Sequence, residues 1–584
     1  MSVEPKSEGS IMRIARRTAI RGGTAGVFSA VMISGGVRPT TLAQDATPAA
    51  TMPASPAVTE GEALVPDLTG LSPLPLTEDR LTRFEDHAAV TLEELGVPGA
   101  SIAVVQNGEI VFLQGFGVRE LGRPEPVTPD TLLRIGSVTK SFSSLLVATL
   151  VDDGKLAWDT PLVDLLPEFA VADPALTPKL TIADAFSAAT GLPRRDLEII
   201  LNGDEHTPQQ MIESIRHLPL TAPYGTTYQY NNQIVAAGGY AAGAADSGLA
   251  DDLQRFYENA LRTRVLDLIG MANTTLSIED VTASGDYATP HGTALDGAFQ
   301  PLALLDDTLW LEAIAPSGAL WSSVREIAGY LLTQLGRGVS ADGTRVVSAQ
   351  NLERTWQPGI KVTVPPELPS ELAAAGEHYG LGWALGNYGG QRLIWHSGGT
   401  LGFTSLATFL PEVGLGIVTL TNGSGMGPSL FTSSVQFQLL EVLFDLPAMF
   451  DWKLIPLLAD QEAGATAMLE SLAPIDVNAV APYLGNYANP DLGHLTLMLS
   501  DDQFVVTDGQ LAITLQPLQE QVGMATVYVP VTPPAAGNPP LFFVTLQQVD
   551  EQPEMLLTAQ GDSGEGELLY PFVWEEVERA TPTS

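Results

Sequence analysis

Strand-forming segments lie at the two ends of one long globular stretch of this chain, and that placement limits the folds open to it. The first is GASIAVVQNGEIVFLQGFGV, from Gly99 to Val118, where two apolar runs meet at Asn107-Gly108. Asn-Gly accepts the positive φ angles of a tight hairpin, so these runs predict adjacent antiparallel strands. The others come far downstream as QRLIWHSGG, FTSLATFLP and LGIVTLTN, three successive strand-like runs. From Leu162 to Gln334 helical segments alternate with Gly/Pro turns. Strands so distant along the chain bury their faces by sharing one sheet, and the intervening helices cover it. The prediction is an α+β domain, an antiparallel sheet flanked by helices.

The 584 residues exceed what a typical single core holds, so further units are expected around that domain. Residues 1–43 read as an export signal. Arg13, Arg16, Arg17 and Arg21 precede an apolar stretch from Thr24 to Val37, and Thr41-Leu42-Ala43 suits a signal peptidase. Arg16-Arg17-Thr18-Ala19-Ile20 resembles a twin-arginine signal, with Ala15 where Ser or Thr is usual. Residues 44–75, rich in Ala, Thr and Pro, are expected to be a flexible linker. The α+β domain is assigned to 76–450 and a helical linker to 451–475. Residues 476–584 carry short alternating strands and polar turns, the pattern of a small separate β-barrel. The mature protein is expected in the cell envelope or outside the cell, without a membrane span.

Asp+Glu 68 against Lys+Arg 28 gives a formal net charge of -40. Such a field repels phosphate backbones and anionic lipid, so nucleic-acid partners are not expected. The absence of cysteine excludes disulfides, Cys-ligated zinc and a Cys nucleophile. No HExxH, P-loop or G-x-S-x-G motif occurs, so neither a metal nor a cofactor is expected. Gly561-Asp562-Ser563-Gly564 imitates a protease serine but stands in the late β segment, where a turn is the simpler assignment.

Chemistry concentrates in three places. In Ser137-Val138-Thr139-Lys140 the hydroxyl and the amine lie one helical turn apart on one face. The apolar helix that follows would desolvate Lys140, lower its pKa and let the neutral amine accept the serine proton. An isolated SxxK is common, but the chain has only six lysines and this one stands where an apolar helix would favour Leu. Second, Tyr228-Gln229-Tyr230-Asn231-Asn232 offers Tyr230 as a proton shuttle, if cations lower its pKa, and Asn232 as an amide for a substrate carbonyl. Third, Trp395-His396-Ser397-Gly398-Gly399-Thr400 ends a strand in small residues. There the Gly399 N–H could join that of Ser137 in an oxyanion hole, with His396 a polar or cationic group beside the substrate.

In this order the three motifs resemble those of the serine β-lactamase and penicillin-binding-protein superfamily: SxxK, then YxN or SxN, then KTG or HxG. The likeness is closer to the class C and esterase/D-stereospecific peptidase branch. It continues through VDDGKLAWDTPLVDLLPEF, ATGLPRRD, IGMANTT, PSGALWSSVREIAGYL and YGLGW, and so runs from about Leu76 to Asp445. The resemblance implies a sheet with an all-helical subdomain, acylation of Ser137, and base and acid duties shared by Lys140 and Tyr230. Substrate would be bound by Asn232, His396, Ser397, Gly398 and Gly399. His396 replaces the usual lysine, which leans the expectation toward an esterase or D-amino-acid peptidase acting on a small molecule or peptide. A true β-lactamase and a penicillin-binding sensor that acylates without turnover are the alternatives. The terminal β segment resembles lipocalin-like modules.

Overall fold

A computed structural model describes residues 65–201, 207–304, 310–363, 375–448, 450, 463–501, 503–519, 526–537, 540–549, 552–560 and 567–575. The expected export signal, most of the expected linker, residues 451–462 and Gly561–Gly564 lie outside the described residues.

Eight antiparallel strands form the sheet. They are β1 (Gly99–Gln106), β2 (Glu109–Gly117), β3 (Ile360–Lys361), β4 (His378–Tyr379), β5 (Ala384–Tyr388), β6 (Gln391–Gly399), β7 (Thr404–Leu410) and β8 (Leu415–Thr421). Their spatial order is β2-β1-β8-β7-β6-β5-β4-β3. Asn107 and Gly108 take φ 54 and 85, the left-handed turn their types favour. The first and last segments meet as expected: β1 pairs with β8, Ala100 opposite Thr421 and Gln106 opposite Leu415. Every residue of β1 is buried because both faces are covered. Ile102 and Val104 join one core with helices α1 (Glu78–Glu94) and α6 (Met426–Leu443). Ala103 and Val105 join the other with α2 (Thr139–Asp152), α4 (Asn232–Ser247) and α5 (Val324–Leu335). A short helix, α3 (Asp196–Ile200), precedes α4.

The linker assignment needs correcting at its end. Leu68 is only 1% exposed, its N–H donates to the Gly389 carbonyl at 2.7 Å, and Leu74 N–H reaches the Leu443 carbonyl at 2.7 Å. Residues 65–75 therefore lie on the sheet domain, because Leu68 finds an apolar seat in the core beneath α6.

The C-terminal unit is a closed eight-stranded barrel from Gly485–Asn489 to Glu567–Trp574, shut by the pairing of Tyr487 with Trp574. Its interior is filled by Tyr487, Phe504, Leu515, Met555, Leu557 and Phe572. Alternate residues along each strand point inward and make up that apolar cluster.

Candidate active site

Ser137 sits in a single 3-10 turn, Gly136–Val138, at the head of α2, 7% exposed. Gly136 takes φ 52, and a Cβ there would stand 2.7 Å from the Gly399 nitrogen. A Cβ at Gly398 would stand 2.0 Å from the Ile135 carbonyl oxygen. Only bare backbone lets the Ser137 turn and the end of β6 touch. The ladder of β6 with β5 stops at Trp395–Ala384, while that with β7 runs on to Gly399–Thr404. Residues 396–399 are thus paired on one side and face the serine turn along the other.

Lys140 Nζ lies 3.0 Å from Ser137 Oγ and donates to the Ser317 carbonyl at 2.7 Å. Burial drives its pKa well below the usual ammonium range; Asp196 opposes that shift and Arg194 adds to it. Burial thus favours the neutral amine, and Nζ stands within hydrogen-bond distance of the serine hydroxyl. Ser317 also donates through Oγ to the Asn232 carbonyl at 2.5 Å, which ties α4 to the lysine.

Tyr230 is buried, its ring centroid 4.7 Å from Lys140 Nζ and 5.3 Å from the Arg194 guanidinium carbon. The Lys140 amine and the Arg194 guanidinium beside the ring do not make a phenolate. Burial raises the phenol pKa, and the opposing pulls of Ser137 and Arg194 do not offset it. The condition set for a phenolate shuttle is not met, because desolvation dominates: Tyr230 rests as a protonated phenol. Its hydroxyl is near enough to Ser137 to feel it, yet no contact meets hydrogen-bond geometry.

Asn231 caps α4, its side chain accepting from Ile234 N–H at 2.8 Å. Asn232 Nδ2 donates to Asp196 Oδ1 at 2.7 Å, so the amide is held by a carboxylate rather than left open. Asp196 also accepts from Arg194 Nε at 2.6 Å.

His396 is 1% exposed, and the cationic alternative for it fails. Its Nδ1 lies 2.5 Å from the Ser397 carbonyl, which can only accept, so Nδ1 carries the proton and Nε2 accepts from the Tyr379 hydroxyl at 2.8 Å. Burial, with Lys140 adding to it, lowers the imidazole pKa to about 3. The ring is neutral and supplies no fixed cation.

The structure thus gathers Ser137, Lys140, Tyr230, Asn232 and the β6 end. It adds Arg194, Asp196, Ser317 and Tyr379, whose roles the sequence reading missed although ATGLPRRD, PSGALW and YGLGW contain them. Among the described residues no group of three His, Asp or Glu side chains is placed to hold a metal ion.

The Beta-lactamase family model matches residues 84–433. The chain is 28% identical to a protein named unguisins hydrolase ungD' from Aspergillus campestris, over 74% of this chain and 79% of that one. A second unguisins hydrolase, from Aspergillus violaceofuscus, is 27% identical over 76% and 80%. Penicillin-binding protein 4 of Amycolatopsis lactamdurans is 28% identical over 58% of this chain and 83% of its own. Among solved structures, the octameric penicillin-binding protein homologue from Pyrococcus abyssi superposes with a TM-score of 0.54 at 22% identity. That match covers 84% of this chain and 99% of the other, a likeness of fold.

Proposed function

This chain belongs to the beta-lactamase family, and from that premise we propose a serine hydrolase that works through an acyl-enzyme on Ser137. The observation that carries the reading is the 3.0 Å approach of the buried Lys140 amine, its pKa lowered by that burial, to the Ser137 hydroxyl. Ser137 Oγ attacks the substrate carbonyl carbon while its proton passes to Lys140 Nζ. The N–H groups of Ser137 and Gly399 receive the developing oxyanion. Tyr230, protonated at rest, donates its phenolic proton to the leaving oxygen or nitrogen and regains one from Lys140. Water then attacks the ester, Ser137 Oγ recovers a proton, and the acid is released. Relatives named hydrolases support the general activity.

The substrate favoured is an ester or a D-amino-acid-type amide. A neutral His396 offers no cation where a β-lactam carboxylate would be anchored. Export through the N-terminal arginine-led signal, and a small-molecule or peptide substrate in place of nucleic acid, complete the proposal.

The test is labelling with a serine-directed phosphonate followed by peptide mass spectrometry. A mass increment on the peptide containing Ser137, lost in Ser137→Ala, supports the reading; labelling elsewhere or none overturns it. A p-nitrophenyl ester, a D-Ala-D-Ala peptide and a chromogenic cephalosporin then sort the substrate. Rapid turnover of the cephalosporin alone would replace the esterase or peptidase assignment with a β-lactamase. A stable penicilloyl increment without release would replace it with a sensor.

A further inference from the structure

We propose that the C-terminal barrel is a working wall of the catalytic cleft, positioning Asn232 and Arg194 through the segment from Arg194 to Leu201. The inference rests on the serine-hydrolase reading of the cleft and assigns the barrel a part in it.

The segment is fixed at one end by the barrel. Leu201, 6% exposed, belongs to the barrel's apolar core with Ile513 and Phe542, and Leu197 packs on the same cluster. The Tyr570 hydroxyl, on the last barrel strand, donates to Glu198 Oε1 at 3.2 Å. Glu198 pairs with Arg195 at 3.6 Å, and Arg195 Nη1 donates to the Arg194 carbonyl at 2.9 Å. Arg194 Nε donates to Asp196 at 2.6 Å, and Asp196 accepts from Asn232 at 2.7 Å. A continuous polar run therefore leads from the barrel to the head of α4, beside Tyr230. α3 has five residues, too few to hold a helix unaided, so its shape depends on what it packs against.

The barrel also holds a second stretch of the sheet domain. Leu295 is buried with Leu518, Val529 and Ala536 of the barrel side. In the same stretch of chain, His291 N–H donates to the Gly402 carbonyl at 3.1 Å, just beyond Gly399. The barrel thus packs on two stretches of chain, one leading to Asn232 and the other bonded to Gly402.

Tyr570 and Leu201 act as positioning residues. In the full chain, Tyr570→Phe and Leu201→Ala should each lower kcat/KM for the hydrolysed ester or peptide about tenfold, mostly through KM, with Leu201→Met close to the parent. Phosphonate labelling of Ser137 should stay within about twofold, because that small probe needs neither Asn232 nor Arg194. Combined with Asp196→Asn, Tyr570→Phe should add little, since both act through one run. Additive losses, or unchanged KM in both single variants, overturn the proposal. Leu201→Ala could also weaken folding, and hydrogen exchange covers that case. Faster exchange at residues 232–236 in Tyr570→Phe supports the proposal, and unchanged exchange there overturns it. If the parent fails to label at Ser137, the hydrolase reading falls, while the exchange result still decides whether the barrel holds α4.

Discussion

The cleft and the barrel are both interiors, and they are built by opposite rules. The barrel core is apolar: Phe504, Leu515, Met555 and Phe572 fill it, the Tyr487 hydroxyl donates to the Tyr483 carbonyl at 2.7 Å, and no buried side-chain polar atom among its described residues lacks a partner. The cleft buries an amine, an imidazole and a phenol, and leaves the phenolic hydroxyl without a hydrogen bond. It also holds Ala188, an L-residue, at φ 52. Burying a polar group without a partner costs about 1–3 kcal/mol in proteins. The comparison teaches that this chain keeps its well-matched packing and its costly buried polar groups in different places. The burial that lowers the pKa of Lys140 and keeps His396 neutral is the same burial that makes them costly.

The sharpest way to break that contrast is Lys140→Met. A side chain of similar length without the amine should lower the acylation rate by about 10³-fold or more, read as kcat/KM or as phosphonate labelling of Ser137. The melting temperature should hold or rise, because a desolvated amine is replaced by an apolar group. A large fall in stability would mean that the amine's bond to the Ser317 carbonyl holds the domain together, and the contrast would fail. In the barrel, Phe572→Ala should do the reverse. Emptying that core position should cost about 3–5 kcal/mol in a denaturant titration, through lost burial and the cavity left behind.

The sequence made one of these interiors more legible than the other. The hairpin at Asn107-Gly108, the late strands and the barrel follow from local rules, since alternation and turn chemistry act over a few residues. Ser137 and Lys140 were legible for the same reason: a turn of helix brings them together. Arg194, Asp196, Ser317 and Tyr379 were not, because each meets its partner only after the chain has returned from elsewhere. The protonation of Tyr230 and the neutrality of His396 depend on burial, which no residue type announces. Residues 65–75 were misassigned because a composition rich in Ala, Thr and Pro upstream hides one well-placed Leu68.

His396 sharpens the comparison through pH. Its pKa is about 3 in the folded chain and near 6.5 when solvated, so between those values the unfolded chain binds the proton that the folded chain refuses. Stability from this group is complete above about pH 6.5 and lost as pH falls toward 3, at up to about 1.4 kcal/mol per pH unit. Urea titrations of the parent and His396→Asn across that window should diverge, the variant showing the shallower fall. Parallel curves would mean that the imidazole charges in place, and the cleft would be wetter than its burial implies.

The smallest effect is expected at Ala188, and its size is the useful quantity. The residue is held at φ 52 by its neighbours: Gln229 N–H donates to its carbonyl at 2.8 Å, and Gly225 N–H donates to the Ala189 carbonyl at 2.8 Å. Glycine would relieve about 1–2 kcal/mol of left-handed strain. It would also free the unfolded chain by about 0.4–1 kcal/mol and give up about 0.8 kcal/mol of methyl burial beside Tyr230. The terms nearly cancel, so Ala188→Gly should leave stability within about 0.5 kcal/mol of the parent by thermal unfolding. A loss well beyond that would show that the methyl packed on Tyr230 matters more than the strain, and that the cleft is held by packing as the barrel is. A gain well beyond it would show strain kept in place for the sake of the tyrosine, which is what a site built at the expense of stability requires.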